Sequence, residues 1–525
     1  MLESRPLPVP PGPPGSTGPT SFSTSPRLPS ALTRTPRLEG TPLADLVSGL
    51  PDRTIAGDPG VRVASLAYRS EDALPGTLYF CVPGTKTDGH EFAAEAVRAG
   101  AVAVVSERAL DVEATQVVVP SVRAAMGPVA AEFYGRPADR MTLVGITGTN
   151  GKTTTTYLME SIFRAAGLAP GVIGTTGVRI DGEAEPFPRT TPEAPDLHRL
   201  LARMLDRGVG VVAMEVSSHG LDQHRAGGVR FSCGVFTNLT QDHLDYHGTL
   251  EEYFLAKARL FDPAVTERAA VNTDSPEGRR LLRADLPTLT YGITEPADLQ
   301  AEEVKTDARG LSFRVGELVV RSRLRGLFNV YNSLAALAAA RSIGIDDEAS
   351  VAGIAALGGV PGRLEPVEAG QDFLVVVDYA HTPDSLENVL RAARPLVDGR
   401  VLIAFGAGGD RDRGKRSLMG EVATRLADVT IITSDNPRSE DPLAIISEIE
   451  EGAKSGGGRY VIEPDRRAAI RMAVREAGSG DIVIIAGKGH ETGQEFADRT
   501  IPFDDRVVAT EELNGLLGAG TEDGA

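Results

Sequence analysis

From about residue 41 the chain alternates short β-branched and aliphatic runs with longer stretches whose apolar positions recur at helical spacing. Residues 77–84 (TLYFCVPG) and 101–107 (AVAVVSE) read as buried strands with a helix, HEFAAEAVRAG, between them. Residues 141–167, MTLVGITGTNGKTTTTYLMESIFRAAG, read as strand, glycine-rich loop and helix. Strands over 210–216 and 233–238 and a helix over 329–344 follow. In the last third, FLVVVDYA, RVLIAFGAGGD, DVTIITSDNPR and DIVIIAGKGH each read as a strand running into a polar or glycine-rich segment. Strands that alternate with helices in this way predict a parallel, doubly wound sheet.

The pattern predicts an α/β fold in three domains: a small N-terminal α/β domain (41–140), a central P-loop-type ATPase domain with a mostly parallel sheet (141–360) and a C-terminal Rossmann-like domain (361–525). Gly359-Val360-Pro361-Gly362 reads as the linker between the last two. Residues 1–40 are rich in Pro, Ser, Thr and Gly, lack an apolar core, and are expected to be a disordered extension rather than a signal peptide.

Composition narrows the picture. Tryptophan is absent and aromatic residues make up 5%, so Ala, Val, Leu and Gly must fill the interior, which suits α/β layers. A formal net charge of −18 argues against a nucleic-acid partner, although local amides, Lys and Arg can still hold a small anion. Two cysteines, Cys81 and Cys233, make no disulfide framework, which points to a reducing cytoplasm. No apolar run reaches the ~18 residues of a membrane span, so no membrane insertion is expected.

The segment GITGTNGKTTT follows a strand and opens a helix. Its glycines let the backbone approach a phosphate, and its amides and the helix N-terminus favour anions. Lys152 can reach the β/γ-phosphates and the Thr153 hydroxyl can ligate Mg²⁺. Ile146 stands where the strict nucleotide-binding pattern has glycine, so the loop is a variant. Glu215 ends a strand in VVAMEVSSHGLDQHR, where it can either hold Mg²⁺ or cap the next helix. His243 lies between Asp242 and Asp245 in FTNLTQDHLDYHG, a setting suited to a metal site. In LEEYFLAKARLF, the apolar residues Leu250, Tyr253, Phe254, Leu260 and Phe261 define one helical face, and Lys257 lies on it. Such an amine either snorkels to water or has a lowered pKa and reacts with CO₂ to give a carboxylate-like carbamate. Asp435-Asn436-Pro437-Arg438 has ordinary turn chemistry, but it sits at the carboxyl end of a strand, where open α/β sheets bind ligands.

GTNGKTTT, MEVSSHGLDQHR, TNLTQDHLDYHG, YFLAKARLF, GLFNVYNSLAALAAA, VPGRLEPVE and VDYAHTPDSLENVL occur in that order, and together they closely resemble the Mur ligases of peptidoglycan synthesis. The resemblance covers nearly everything after residue 41 and is strongest to the branch that adds the third peptide residue. It implies ATP-dependent amide-bond formation. The terminal carboxylate of UDP-MurNAc-L-Ala-D-Glu is phosphorylated, and an amino acid's amine then attacks the acyl phosphate. It implies an ATP site of Gly148, Thr149, Asn150, Gly151, Lys152, Thr153 and Thr154, with Asn329, Arg363 and Asp378 closing over the nucleotide. Thr153, Glu215, His243 and Lys257, as its CO₂-derived carbamate, are the implied magnesium ligands; Lys152, Glu215, His243 and Lys257 are the implied catalytic set. The implied contacts to the nucleotide sugar are Tyr68, Ser70, Thr85, Lys86, Thr87, Thr190, Thr191, Ser217, Gln223 and Arg225. The chain departs from relatives at YRSED, where Arg69 and Glu71 flank Ser70 and a relative commonly has Asp-Ser-Arg.

By the same resemblance DNPR implies meso-diaminopimelate as the amino acid, since the motif accompanies that substrate in the family; Arg438 can pair with a distal carboxylate that lysine lacks. Arg411, Asp435, Asn436, Pro437, Gly487 and Glu491 are implied to complete that site. A lysine-adding ligase and, more remotely, a P-loop switch without ligase activity are the alternatives. The partners expected are the three small substrates, and a monomer is expected.

Overall fold

The structure, a computed structural model, describes residues 40–522 apart from 85–86 and 308. The Pro-rich extension ahead of residue 40 and the positions Thr85 and Lys86 thus lie outside the described residues.

The first unit is a five-stranded sheet in which Ser65–Ala67, Thr77–Phe80, Ala101–Ser106 and Thr115–Val118 run parallel, and Thr54–Ala56 pairs antiparallel at one edge. Both faces of its central strands are covered. Leu78 and Phe80 enter one apolar core and Tyr79 the other. This explains why Thr77–Phe80 is apolar without alternation. The helix read between these strands is shorter than its pattern, a 3-10 turn at Gly89–Phe92 followed by Ala93–Arg98.

The second unit is built on nine strands. Thr142–Thr147 lies at its centre, parallel to Val211–Glu215 on one side and Cys233–Phe236 on the other. Cores on the two faces bury these strands completely except for Thr142 at the start of the central one. Helix Leu327–Ser342, rich in small residues, packs against helix Lys152–Ala165. A separate antiparallel sheet of Glu302–Asp307, Gly310–Val315 and Leu318–Ser322 was not evident from the apolar pattern. Its outer strand has no fully buried residue, so it carries no apolar run.

In the third unit, Leu374–Asp378, Ile482–Ala486, Val401–Phe405, Val429–Ile432 and Tyr460–Ile462 are parallel neighbours, with the antiparallel pair Glu365–Pro366 at the edge. Four adjacent carboxyl ends therefore set DYAH, AGKGHE, GAGGD and SDNPR along one rim, the usual ligand side of such a sheet. In the segment at 359–362, Val360 is buried and bridges to Arg363. Cys81 and Cys233 are free and buried. Among the described residues, no helix is long and apolar enough to cross a membrane.

Beneath this rim lies a fully buried ion pair. Arg466 donates to Asp505 at 2.6 and 2.8 Å, and also to the carbonyls of Ser434 at 3.2 Å and Ala486 at 3.0 Å. Those carbonyls immediately precede Asp435 and Gly487. Asp505→Ala strands a buried guanidinium and is expected to cost about 3–5 kcal/mol. Chemical denaturation monitored on the third unit checks this.

Candidate active site

The phosphate loop forms because strand Thr142–Thr147 hands the chain to helix Lys152–Ala165 through residues 148–151. Gly148 has φ +148°, and a Cβ there would collide with the Thr237 hydroxyl, so this position requires glycine. The loop is pinned from the next strand's end. Thr149 N donates to the Asn238 carbonyl and Asn150 N to Asn238 Oδ1, each at 2.9 Å. Lys152 curls back, its Nζ donating to the carbonyls of Gly148 at 2.9 Å and Thr149 at 2.8 Å.

Lys257 does not snorkel. It is 1% exposed, on helix Leu250–Ala258, and its Nζ donates to the same Gly148 carbonyl at 2.8 Å. The amine lies 4.4 Å from the Tyr253 ring centroid. Burial holds its pKa well below the ordinary lysine value, and the neighbouring Lys152 ammonium lowers it further. The helical face is narrower than its spacing predicts. Tyr253, Phe254, Leu260 and Phe261 are buried, but Leu250 is 46% exposed because it opens the helix at the surface.

Glu215 is 1% exposed and accepts from Thr175 N at 2.9 Å and Thr175 Oγ1 at 3.0 Å. The capping alternative fails, since Ser217 caps the next helix by accepting from Gly220 N at 3.0 Å. His243 takes a left-handed backbone (φ +57°), and its Nε2 lies 3.4 Å from Asp242. Burial pushes its imidazole far below the usual range, so it is neutral and able to ligate at neutral pH. Among the described residues, no three His, Cys, Asp or Glu side chains converge into a metal cage by themselves. The donors present are a carboxylate, a hydroxyl and one neutral imidazole. They suit a hard divalent ion that keeps waters and binds substrate phosphates. An unmodified Lys257 ammonium does not suit a cation; a carbamate at that position does.

Beside the loop lies a cleft of about 560 Å³ between the second and third units, bordered by Asn150, Gly151, Thr153, Thr154, Arg363 and Asp378. Arg363 reaches across to donate to Thr153 Oγ1 at 3.4 Å and stacks on Tyr379. Asp378 accepts from the amides of Leu364 at 2.7 Å and Ala380 at 2.8 Å, which fixes the arginine's own loop. Asn329 does not border the cleft. It bonds the Arg325 carbonyl and accepts from Asn332, and Asn332 is the residue that faces the nucleotide loop. Asp384, in the first turn of helix Pro383–Ala393, accepts from Asn150 Nδ2 at 2.8 Å and ties the two units together.

A second, smaller cavity of about 120 Å³ opens at the third unit's rim. Arg411, Asp435, Asn436, Arg438, Gly487 and Glu491 line it, opposite Asp242, His243 and Asp245 of the second unit. Arg438 is held on two sides: Nε donates to Glu495 Oε2 and Nη1 to the Gly409 carbonyl, both at 2.8 Å. Pro437 is buried and does not line the cavity; its carbonyl sits where a Cβ on Gly409 would be. Gly487 has φ +116°, and a Cβ there would run into the Asp435 carboxylate. Arg411 is exposed and has no hydrogen-bond partner among the described residues.

Three family models match in order: "Mur ligase family, catalytic domain" over residues 62–134, "Mur ligase middle domain" over 146–340 and "Mur ligase, glutamate ligase domain" over 362–489. The chain is 47% identical over 479 residues, 89% of its length and 98% of the relative's, to a Geobacillus thermodenitrificans protein named UDP-N-acetylmuramoyl-L-alanyl-D-glutamate--2,6-diaminopimelate ligase. The chain belongs to the Mur ligase family. A Solibacter usitatus protein of the same name is 49% identical over 463 residues, covering 86% of this Mur ligase and 94% of the relative. A solved structure titled with that name is 35% identical, with a TM-score of 0.66 over 91% of this chain and 99% of that one.

In this Mur ligase the residues expected to hold the nucleotide sugar fall into two groups. Tyr68 donates from the first unit to Asp196 of the second at 2.6 Å. Ser70 opens a 3-10 turn, and Arg69 and Glu71 pair with each other on the surface. Thr87 is exposed. Thr191, Ser217, Gln223 and Arg225 form one network: Thr191 Oγ1 donates to Ser217 Oγ at 3.1 Å, and Arg225 donates to the Thr191 carbonyl at 3.3 Å and to Gln223 Oε1 at 2.7 Å. Thr190 Oγ1 lies 3.1 Å from Thr175 Oγ1, next to Glu215.

Sequence reasoning passed over several residues that the fold of this Mur ligase places in or beside the site. Lys488 lies inside the quoted AGKGHE, yet only the fold reveals that it is buried. His381 and Lys415 line the smaller cavity, and Lys415 Nζ stands 3.8 Å from Asp242 across the domain boundary. Thr175, which holds Glu215, carries no motif signal.

Proposed function

We propose that this Mur ligase joins meso-2,6-diaminopimelate to UDP-N-acetylmuramoyl-L-alanyl-D-glutamate at the expense of ATP. Its family forms amide bonds by this route, and curated relatives at 43–49% identity carry the corresponding name. The observation that carries the assignment is the cavity in which Arg438 and Glu491 stand opposite His243, on the segment that also pins the phosphate loop.

In the proposed reaction, the terminal carboxylate of the nucleotide sugar attacks the γ-phosphorus of ATP and ADP departs. The diaminopimelate amine then attacks the acyl carbon. A C–N bond forms, the C–O bond to phosphate breaks, and the amine gives up a proton. Phosphorylation is needed because a carboxylate is a poor electrophile. Lys152, drawn off the Gly148 and Thr149 carbonyls, neutralises the meeting anions. Thr153, Glu215, His243 and carbamylated Lys257 would hold magnesium, which supplies further neutralisation of the phosphates. Arg363 and Asp384 link the third unit to the phosphate loop, so closure of that unit over ATP completes the site.

Arg438 and Arg411 are the groups for the distal carboxylate, and Glu491 the acceptor for the distal ammonium. A site built for that carboxylate rejects lysine by leaving an arginine unpaired. Amino-acid competition tests this. With ATP, Mg²⁺ and UDP-MurNAc-dipeptide, product from meso-diaminopimelate is expected to exceed product from L-lysine by at least about a hundredfold in kcat/KM. A preference for lysine overturns the specificity, and amino-acid-independent ATP hydrolysis without product overturns ligation itself.

A further inference from the structure

Lys488 lies in the loop that leaves strand Ile482–Ala486, between Gly487 and Glu491, and is 0% exposed. Its Nζ donates to Asn436 Oδ1 at 3.0 Å, to Glu491 Oε2 at 3.1 Å and to the Gly493 carbonyl. These acceptors use all the protons an ammonium has. The triangle is closed by Asn436 Nδ2, which donates to Glu491 Oε2 at 2.8 Å. Asn436 Oδ1 also accepts from Glu495 N at 3.0 Å, so its amide has one workable orientation: the reverse would turn the NH₂ toward two donors.

Two consequences follow. Glu491 Oε2 is taken by two protein donors, while Oε1 has no protein partner among the described residues and is left for whatever enters the cavity. Asn436 is two residues from Arg438, and Glu491 is on a different strand's loop, so Lys488, bonded to both side chains, locks the Asn436–Glu491 contact and with it the spacing of the two loops. That spacing matters for one particular ligand head. A diaminopimelate's far end carries its ammonium and carboxylate on the same carbon, so Glu491 and Arg438 must grip it at a fixed separation. From below, Arg466 holds the same loops by the Ser434 and Ala486 carbonyls; at the side-chain level Lys488 acts beside the Asn436–Glu491 bond and the bond from Gln494 Nε2 to the Asp435 carbonyl at 2.8 Å.

We propose that Lys488 is a positioning residue for amino-acid selection, locking Asn436 and Glu491 so that the site reads an α-amino-acid head at the substrate's far end. The inference rests on the diaminopimelate reading of the cavity. It is tested by steady-state kinetics of Lys488→Met beside the unaltered enzyme. The KM for meso-diaminopimelate is expected to rise about tenfold or more, with the KM for ATP within about twofold, and the kcat/KM advantage over L-lysine should shrink. A diaminopimelate KM that stays within about twofold, or one that rises in step with the ATP KM as general loosening would produce, overturns the inference. If Lys488→Met does not accumulate as folded protein, Lys488→Arg decides. Its planar fork cannot reproduce the three bonds, so the diaminopimelate KM should still rise about threefold or more at constant ATP KM, and an unchanged value counts against the role. Should the unaltered enzyme itself prefer lysine, the substrate reading fails, whatever the variants do.

Discussion

Lys257→Ala is expected to lower ligation by roughly a thousandfold or more while the protein still binds ATP, the scale seen when a charge-stabilising group is removed from a transferring centre. The amine sits under the phosphate loop on the Gly148 carbonyl, fully buried, with its pKa held far down by that burial and by Lys152. A neutral amine in this position can attack CO₂ and release a proton, and the proposed carbamate would turn a buried amine into an oxygen donor suited to magnesium. Added bicarbonate cannot rescue the alanine variant, because no amine remains to be carbamylated. In unaltered enzyme stripped of CO₂, activity should fall and return with bicarbonate. Full activity in Lys257→Ala would sink the carbamate, and ATP binding measured by calorimetry separates lost chemistry from lost structure.

Arg438→Ala should raise the KM for meso-diaminopimelate by about 10- to 100-fold, the worth of a charge-assisted hydrogen bond, and leave the KM for ATP within about twofold. The backbone at 438 is left-handed (φ +52°), a strain that alanine shares with arginine, so the substitution reads the side chain rather than the turn. Glu495 and the Gly409 carbonyl hold the guanidinium in place before substrate arrives, so little side-chain entropy is lost on binding. Initial rates with each substrate varied in turn provide the check. An equal rise in both constants would return Arg438 to an ordinary turn residue.

Much of this was legible in the chain. A strand running into GTNGKTTT can be read as a phosphate loop because glycine, lysine and threonine at those spacings serve few other purposes. The rim of the third unit was readable because each strand ends in its own polar segment. Asn329 was not, because its side chain and that of Asn332 lie a turn apart on one helix, and only the packing decides which faces the cleft. Leu250 was misplaced on the buried face because periodicity does not say where a helix emerges from its neighbours.

The sequence by itself determined the strands that carry the quoted motifs, the strand–loop–helix setting of the glycine-rich loop and the family, since these depend on local pattern and ordered motifs. The tertiary structure decided that Lys257 is sealed under Gly148 instead of reaching water, that Ser217 rather than Glu215 caps a helix, and that Lys488 joins two loops some fifty residues apart in sequence. Burial and pairing of a charge are properties of what several distant segments place around it, and spacing along one segment carries no information about the others.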